Sequence, residues 1–376
     1  MTISKNNVPV YKALQECIGH YFAEKGISRY ANRSFWIKMT VILLSIVAGY
    51  CMLLTIGERS LLIVLACYLL INLGSTLFVV NVAHDASHHS ISKNKSVNHF
   101  LSFSWNVMGI SKYLWDIQHH FSHHNHTGVP HRDVDIVETV WIRYSPTHRY
   151  RAHFRYQHLY APFLYLLFGI FVIFIKDFIM LYSDKLRSFG VKRLPRFFVV
   201  QLIATKLLYV FISLILPVLL LPFSWWQVLI IYIITLGVSS GSMLVVLVIP
   251  HINEFAVQHE NKVAIKNQDD WVMQQIHSSI DSSPGSKWLS WLLGGLNTHL
   301  VHHLFPNICH VHYRELTTMI RQKLSERGIP YTERSFATGV TDHFKFLEKM
   351  GMKPAGSGEE HFHSTLFPNN LQQTAD

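Results

Sequence analysis

The stretch LLIVLACYLLINLGSTLFVV (residues 61–80) runs, after three further residues, into HDASHH (84–89). An α-helix of about 20 mostly apolar residues is long enough to cross the hydrocarbon of a bilayer, roughly 30 Å. A second apolar run, MTVILLSIVAGYCMLLTIG (39–57), precedes it by only a few residues. The two runs therefore predict a transmembrane helical hairpin that ends directly in a histidine cluster.

The same pattern recurs later in the chain. Residues 198–221 and 226–249 predict a second hairpin around a short link. The N-terminal arm and the segment SDKLRSFGVKRLPR (183–196) are rich in Lys and Arg, which places both in the cytosol. The apolar stretches 159–175 and 100–114 then lie in the interface or re-enter the membrane, since their flanks share one side.

These features predict an all-α integral membrane protein with four transmembrane helices in two hairpins and a cytosolic helical cap that carries the histidines. We expect a cytosolic arm (1–38), a membrane domain (39–330) and a polar C-terminal tail (331–376), with both termini in the cytosol. Charged residues make up 15% of the chain and the mean hydropathy is +0.21. In a membrane protein, the Lys and Arg residues behind the net charge of +10 indicate the orientation of the chain in the membrane and attraction to anionic head groups, rather than nucleic-acid binding.

Cysteine usage and the N-terminus agree with this location. The four cysteines form no CxxC pair, and two of them lie in apolar runs, which predicts no disulfide framework. The N-terminus carries no apolar core of the kind that a signal peptide requires.

Histidine is the most unusual component, because the 25 histidines outnumber all Asp and Glu together. They concentrate in HDASHH (84–89), HHFSHH (119–124) and HLVHH (299–303). On a helix, residues three or four apart share a face, which predicts convergence within the pairs His84/His88, His119/His123 and His299/His302. Adjacent histidines are splayed by about 100° and offer one imidazole to each of two metals.

The predicted topology puts all three clusters on one side of the membrane, because an even number of spans separates them. Eight imidazoles suit two metal ions better than one, although ligand type alone also allows zinc. His251, at the end of the fourth span, is a further candidate ligand. His277 is a weaker one, and we expect His126, His131, His148, His153 and His158 to be loop or surface residues.

The clusters resemble the histidine boxes of the membrane fatty acid desaturase family. The similar strings, spread over about residues 70–330, are HDASHHSISKNKSVN (84–98), WDIQHHFSHHNHTG (115–128), RYQHLYAPFLY (155–165) and WLLGGLNTHLVHHLFPNICHVHY (291–313). The run HHLFPNICHVHY in the last string is most similar to bacterial desaturases related to the front-end acyl desaturases.

This resemblance implies a di-iron centre, O₂ as co-substrate and a histidine ligand near the end of the fourth span, where His251 stands. The implied ligands are His84, His88, His119, His123, His124, His251, His299, His302 and His303. The chain departs from the family at His299, where front-end relatives usually have Gln, and at Gln274, where relatives often have His. The first departure weakens any inference about double-bond position, and the second leaves open whether His251 or His277 completes the shell.

The resemblance further implies oxidation of a lipid acyl chain carried as acyl-CoA, acyl-carrier protein or glycerolipid, in the bacterial inner membrane. No haem-binding His-Pro-Gly-Gly motif is present, so electrons are expected from an external ferredoxin or a cytochrome with its reductase. An acyl or carotenoid hydroxylase or ketolase is the nearest alternative, and a metal transporter is another. We expect Asp85, Asp133, Asp135 and Glu254 as partners of the ligands, and aromatics to line an acyl tunnel: Phe103, Trp105, Tyr113 and Trp115.

Overall fold

The computed structural model describes residues 9–183, 186, 189, 191, 193–256 and 267–354. Most of these residues are helical. The α-helices are α1 Val10–Lys25, α2 Arg33–Ile56, α3 Leu61–Phe78, α4 His84–Ser87, α5 Lys95–Ser102, α6 Ser104–Val107, α7 Lys112–Asp116, α8 His124–His126, α9 Gln157–Leu166, α10 Phe168–Ile170, α11 Asp177–Tyr182, α12 Phe198–Val210, α13 Leu216–Leu220, α14 Trp225–Val248, α15 Gln268–Ser278, α16 Lys287–Leu292, α17 His299–Leu304, α18 Tyr313–Ser325 and α19 Phe336–Gly351.

Other elements connect these helices. π-Helical segments span Val79–Ala83, Ile117–His123, Phe171–Lys176 and Phe211–Ile215, and 3₁₀ segments span Gly57–Arg59, Val134–Ile136, Ala152–Tyr156 and His310–His312. The strands Asp281–Ser282 (β1) and Glu333–Arg334 (β2) pair in parallel, with Asp281 opposite Glu333. Over the described residues, the prediction of an all-α membrane protein is therefore confirmed apart from this pair of two-residue strands.

In the described part of the chain, four helical stretches are long and apolar enough to cross a membrane: Arg33–Arg59, Leu61–Ser87, Phe198–Leu220 and Trp225–Val248. They match the four predicted spans. The first begins inside the predicted N-terminal arm, because the Asn32 side chain accepts the Phe35 N–H and so caps the helix there. Gly74 allows α2 and α3 to pack closely, since a Cβ atom there would stand 2.8 Å from Ile46 Cγ1.

The ambiguous apolar stretch 159–175 is bent rather than straight. Ala152–Leu166 and Phe168–Tyr182 meet at 58°, so they form either one broken span or a re-entrant pair. A buried ion pair fixes the second half: Lys206 Nζ lies 2.9 Å from Asp177 Oδ2 and donates to the Gly109 carbonyl at 2.9 Å. Asp177 also accepts the Ser111 N–H. This network attaches the bent helix to α12 and to the loop before α7.

The chain beyond residue 331 contributes to the core, although the sequence predicted a polar tail there. Helix α19 buries Phe346, Leu347 and Met350 against Ile136 and Ile252. The amphipathic spacing of these three residues was the available signal, because positions 346, 347 and 350 share one helical face. The rest of the predicted tail, 355–376, lies outside the described residues, as does part of the basic segment 183–196.

A buried histidine in this helix predicts a pH dependence of stability. His343 Nδ1 donates to the Ile252 carbonyl at 2.6 Å and Nε2 accepts from the Tyr165 hydroxyl at 2.7 Å, which fixes the neutral ring. Burial lowers the pKa of His343 to about 4, against a small opposing effect of the Ile252 carbonyl. The unfolded chain takes up a proton near pH 6.5, so this contribution is complete above that pH and is lost as the pH falls towards 4.

We therefore expect His343 to reduce the free energy of unfolding by about 2 kcal/mol between pH 6.5 and pH 5. Thermal unfolding of the detergent-solubilised protein at these two pH values measures the change. A His343→Gln variant keeps a neutral polar group and should have a flatter pH profile than the wild type. Parallel profiles for the two proteins would contradict the assignment.

Candidate metal centre

All nine histidines implied by the resemblance lie close together, and two groups of four account for eight of them. In each group, one ring nitrogen per residue lies within 4.8 Å of the others. The first group comprises His84, His88, His119 and His302, and the second comprises His123, His251, His299 and His303. His124 lies within the same distance of His302 and His303, between the groups.

The partition differs from the helical pairing that the sequence predicted. His84 and His88 do share a group, but His119 and His123 are divided, and His299 groups with His303 instead of His302. His119 and His123 nevertheless remain neighbours, with stacked rings whose centroids are 5.6 Å apart. The adjacent pair His302/His303 does offer one ring to each group, as predicted.

The contacts between the rings fit a bound cation. His119 Nε2 lies 3.2 Å from His84 Nε2, 3.0 Å from His88 Nε2 and 3.1 Å from His124 Nε2. One ring nitrogen carries at most one hydrogen, so it cannot satisfy three such neighbours by hydrogen bonding. His303 Nε2 and His251 Nε2 approach within 3.1 Å in the same way. A metal ion among these lone pairs turns a repulsive arrangement into ligation.

Buried nitrogens without partners give the same indication. Among the described residues, both ring nitrogens of His302 and Nε2 of His299 are buried and lack a hydrogen-bond partner. Unpaired buried polar groups are unfavourable and rare in native proteins. These nitrogens point to a ligand that the histidines are arranged to hold.

Electrostatics favour the neutral, ligating form of most rings. Burial, followed by the neighbouring histidines, holds the pKa of His88, His119, His302 and His303 well below the usual value. Burial lowers the pKa of His251 to about 3. Neutral imidazole is the form that binds metals, so the cluster needs little proton release before ligation.

His123 is the exception, because two carboxylates stand beside it. Burial disfavours its charged form, yet Asp133 and Asp135 together raise its pKa to about 9. His123 Nδ1 lies 3.1 Å from Asp133 Oδ1 and 3.3 Å from Asp135 Oδ2. Asp133 is itself held by the backbone N–H groups of Gly128 and Asp135. A carboxylate that accepts from Nδ1–H orients the ring and leaves Nε2 for a metal.

Three other rings are oriented by oxygen acceptors. Nδ1 of His251 donates to the Ser278 carbonyl at 2.7 Å, and Nδ1 of His299 donates to the Leu296 carbonyl at 3.2 Å. Nδ1 of His303 lies 3.3 Å from the Thr127 hydroxyl. In every member of the second group, therefore, Nδ1 has an acceptor and Nε2 is available. This regularity is what a nitrogen-ligated metal site requires.

The helix that carries the third cluster is positioned by a buried acid. Asp281 Oδ1 accepts the Leu300 N–H at 2.9 Å, at the first turn of α17, and Oδ2 accepts from the Tyr331 hydroxyl at 2.6 Å. Burial raises the pKa of Asp281 to about 6, against the lowering effect of these hydrogen bonds. Sequence reasoning missed Asp281, because neither its spacing from other residues nor the composition of the surrounding segment distinguishes it from a surface carboxylate.

A buried chain of contacts starts at the first cluster and ends on α2. Asp85 Oδ1 lies 3.7 Å from His84 Nδ1, and Asp85 Oδ2 accepts from His310 Nδ1 at 2.8 Å. The Lys38 ammonium contacts His310 Nε2 at 2.8 Å, the Asn81 side-chain oxygen at 2.7 Å and the Trp291 carbonyl at 2.9 Å. Lys38 therefore supplies the positive charge next to Asp85 and His310, and we do not assign a third metal to these residues and Cys309.

Of the four carboxylates predicted as partners of the ligands, three contact cluster histidines and one does not. Asp85, Asp133 and Asp135 contact cluster histidines as expected, whereas Glu254 pairs with Lys349 on α19 instead. His277 belongs to neither group of four. His148 lies in a loop, as predicted, and is buried there.

An apolar cavity of about 610 Å³ leads from the histidines into the membrane helices. His84, His119 and His299 face its polar end, and Trp105 and Trp115 line it beside them. Further away it is lined by side chains of the membrane-spanning helices, among them Tyr50, Tyr68, Ile71, Tyr209, Tyr232 and Leu236. Phe103 and Tyr113, which the sequence analysis also proposed for a tunnel, do not line this cavity.

Comparison with known proteins places these features in a family context. The model of a family described as Fatty acid desaturase matches residues 59–335. An sn-1 linoleoyl-lipid 6-desaturase of Synechocystis sp. is 28% identical over 344 residues, which cover 90% of this chain and 95% of the relative. The Arthrospira platensis protein with the same name is 26% identical, over 91% and 93%. An acyl-lipid (8-3)-desaturase of Physcomitrium patens is 26% identical, over 92% and 72%.

Proposed function

Because the chain belongs to the fatty acid desaturase family, we propose that it inserts a double bond, in cis geometry, into an acyl chain of a membrane glycerolipid. The observation that carries the proposal is the junction of two four-histidine groups with an apolar cavity. The relatives' names refer to acyl groups in lipids, which favours a glycerolipid over acyl-CoA or acyl-carrier protein as the carrier.

We assign the nine histidines to two iron ions. One ion would be held by His84, His88, His119 and His302 and the other by His123, His251, His299 and His303, with His124 close to both groups. When bound, the iron pair supplies the activation of O₂ and the removal of hydrogen from unactivated methylenes, which side-chain acids and bases cannot perform. The overall reaction converts –CH₂–CH₂–, O₂, two electrons and two protons into –CH=CH– and two water molecules.

The protein's own contribution is to position the acyl chain and to exclude water from it. The apolar lining of the cavity binds the acyl chain through burial from water, at about 25 cal/mol per Å² of apolar surface. Trp115 stacks on His119 with ring centroids 4.4 Å apart and on Trp105 at the same separation, so one wall of the cavity is fixed directly beside the histidines. Two adjacent methylene groups held against that wall face the histidine groups in one orientation.

We further propose that the four spans form two hairpins, with the histidine clusters and both termini on the cytosolic side of a bacterial inner membrane. The Lys and Arg residues of the N-terminal arm and of 183–196 support this orientation. Electrons then arrive from a cytosolic ferredoxin, or from a cytochrome with its reductase. The apolar helices and the family make the chain an integral membrane protein whichever way it is oriented.

Expression in a host with simple lipids tests the function. Fatty-acid analysis of lipids from cells that make the wild-type chain should reveal a new fatty acid lighter than its precursor by two mass units. Cells that make His303→Ala should lack it at equal protein levels. A product heavier by sixteen mass units would identify a hydroxylase instead, and unsaturation that persists in His303→Ala would contradict the role of His303.

A further inference from the structure

A polar pocket lies outside the histidine site, between α18, β2 and the segment before α16. Its volume is about 560 Å³, and three guanidinium groups line it, those of Arg314, Arg321 and Arg334. Hydroxyl groups also line it, those of Ser283, Ser286, Thr317, Thr318, Ser335 and Thr338. Thr317 and Thr318 already donate to the Tyr313 and Arg314 carbonyls. Glu333 is the one acidic residue among the described residues that line the pocket, so its walls carry a net charge of +2 (three Arg less one Glu).

The arginines retain hydrogen-bonding capacity. Arg314 uses Nη2 to bind Glu315 at 2.9 Å, and Arg321 uses Nη1 to bind Glu333 at 3.0 Å. A guanidinium has five N–H donors, and these contacts each engage one nitrogen. Arg334 Nε is buried and has no hydrogen-bond partner in the described part of the chain, since the Asp342 carboxylate oxygen stands 3.6 Å away.

Two tryptophans mark the depth of the pocket in the membrane. Helix α16 begins immediately after Ser286, and its Trp288 and Trp291 stack on each other, 65% and 43% exposed. Tryptophan side chains exposed in this way are typical of the level of the lipid head groups, where an apolar ring meets a polar surface. The pocket is therefore adjacent to the zone in which lipid phosphates lie.

We propose that this pocket binds the phosphate group of an anionic glycerophospholipid. Arginine forks match phosphate oxygens bidentately, and hydroxyl groups complete such sites. A concave site of this volume accommodates a head group, whereas an acidic protein partner requires a broad surface. The site is separate from the oxidation chemistry, because none of its lining residues belongs to the histidine groups.

The test titrates the purified full-length protein, in neutral detergent, with short-chain phosphatidylglycerol. Intrinsic tryptophan fluorescence reports binding, because Trp288 adjoins the pocket. Short-chain diacylglycerol, inorganic phosphate and coenzyme A are titrated in parallel, so the lipid and soluble sources of a phosphate group are compared directly. We expect saturable binding of phosphatidylglycerol and none of diacylglycerol.

The double variant Arg314→Gln/Arg321→Gln should weaken phosphatidylglycerol binding at least about tenfold, as expected for the loss of two charge-assisted contacts. Lys323→Gln is the control for loss of a positive charge, because it removes one such charge from the same helix, lies outside the pocket and pairs with Glu326. Arg321→Lys keeps the charge, loses the fork and should give an intermediate affinity. Arg321→Lys also tests the site if the double variant fails to fold.

Three outcomes would overturn the proposal. Equal weakening by Lys323→Gln and the arginine variants would indicate general attraction to a basic surface. Tighter binding of coenzyme A or inorganic phosphate through the same arginines would identify a soluble ligand. Binding that no arginine variant changes would place the lipid elsewhere. The double-bond assay in cells is independent of all three, so failure here leaves the proposed oxidation intact.

Discussion

His251→Ala is expected to lower the iron content of the purified protein from two atoms per chain to about one and to reduce desaturation at least about 100-fold. His251 Nε2 lies 3.1 Å from His303 Nε2, and its Nδ1 is held by the Ser278 carbonyl. The substitution removes one of four converging nitrogens in the second group and leaves the first group unchanged. Iron analysis of the purified protein measures the first effect, and lipid analysis measures the second.

His277→Ala is the control for this prediction. His277 is the weaker of the two candidates that the sequence offered for completing the ligand set, and it belongs to neither group of four. The variant should retain two iron atoms per chain and most of the activity. If His277→Ala loses iron while His251→Ala keeps it, the ligand assignment in the second group is wrong.

The sequence predicted the membrane helices and the nine histidines because both signals are local. The length of an apolar run predicts a membrane span, and the spacing of histidines predicts a ligand cluster. The position of His251 could be inferred because a titratable side chain at a span end is unusual. The structure then brings together residues more than 200 positions apart, His84 and His302 among them.

Which histidine shares a group with which could not be predicted in the same way. The rings of His119 and His123 stack on each other, and they belong to different groups because each meets different histidines from distant parts of the chain. Asp281, Lys38 and His310 escaped notice for a similar reason. Their roles depend on long-range contacts, such as that between Asp281 and the Leu300 N–H, which no periodicity within one segment records.

The largest effect outside the ligand set is expected at Lys38. Its ammonium, buried on α2, donates to His310 Nε2, which leaves the hydrogen of that ring on Nδ1, facing Asp85. Asp85 is thereby kept as a carboxylate beside His84 Nδ1, at 3.7 Å. Lys38 thus acts as a positioning residue: through His310 and Asp85 it favours the His84 tautomer whose Nε2 faces the first histidine group.

Lys38→Met removes the positive charge but retains most of the apolar volume. Asp85 then has only a neutral histidine as its counterpart. Removing one partner from a buried charge network leaves an uncompensated buried charge, which is energetically costly. We expect iron to be retained about 10- to 100-fold less tightly at the first group, in the range found when partners of metal ligands are removed. Iron released to a chelator, and the visible spectrum of the cobalt-substituted protein, report the change without relying on turnover.

Lys206→Met is the matched control, because Lys206 is also a buried lysine of a membrane helix, and it contacts Asp177 and the Gly109 and Ile173 carbonyls instead of a histidine. It should destabilise the fold by a comparable amount, about 3–5 kcal/mol, yet keep normal iron retention. Lys38→Met/Asp85→Asn should recover part of the stability lost in Lys38→Met, since the unpaired carboxylate is gone, but not the iron retention, because Asp85 is the group beside His84 Nδ1. Equal iron retention in Lys38→Met and Lys206→Met would show that Lys38 only stabilises the helices and does not position His84.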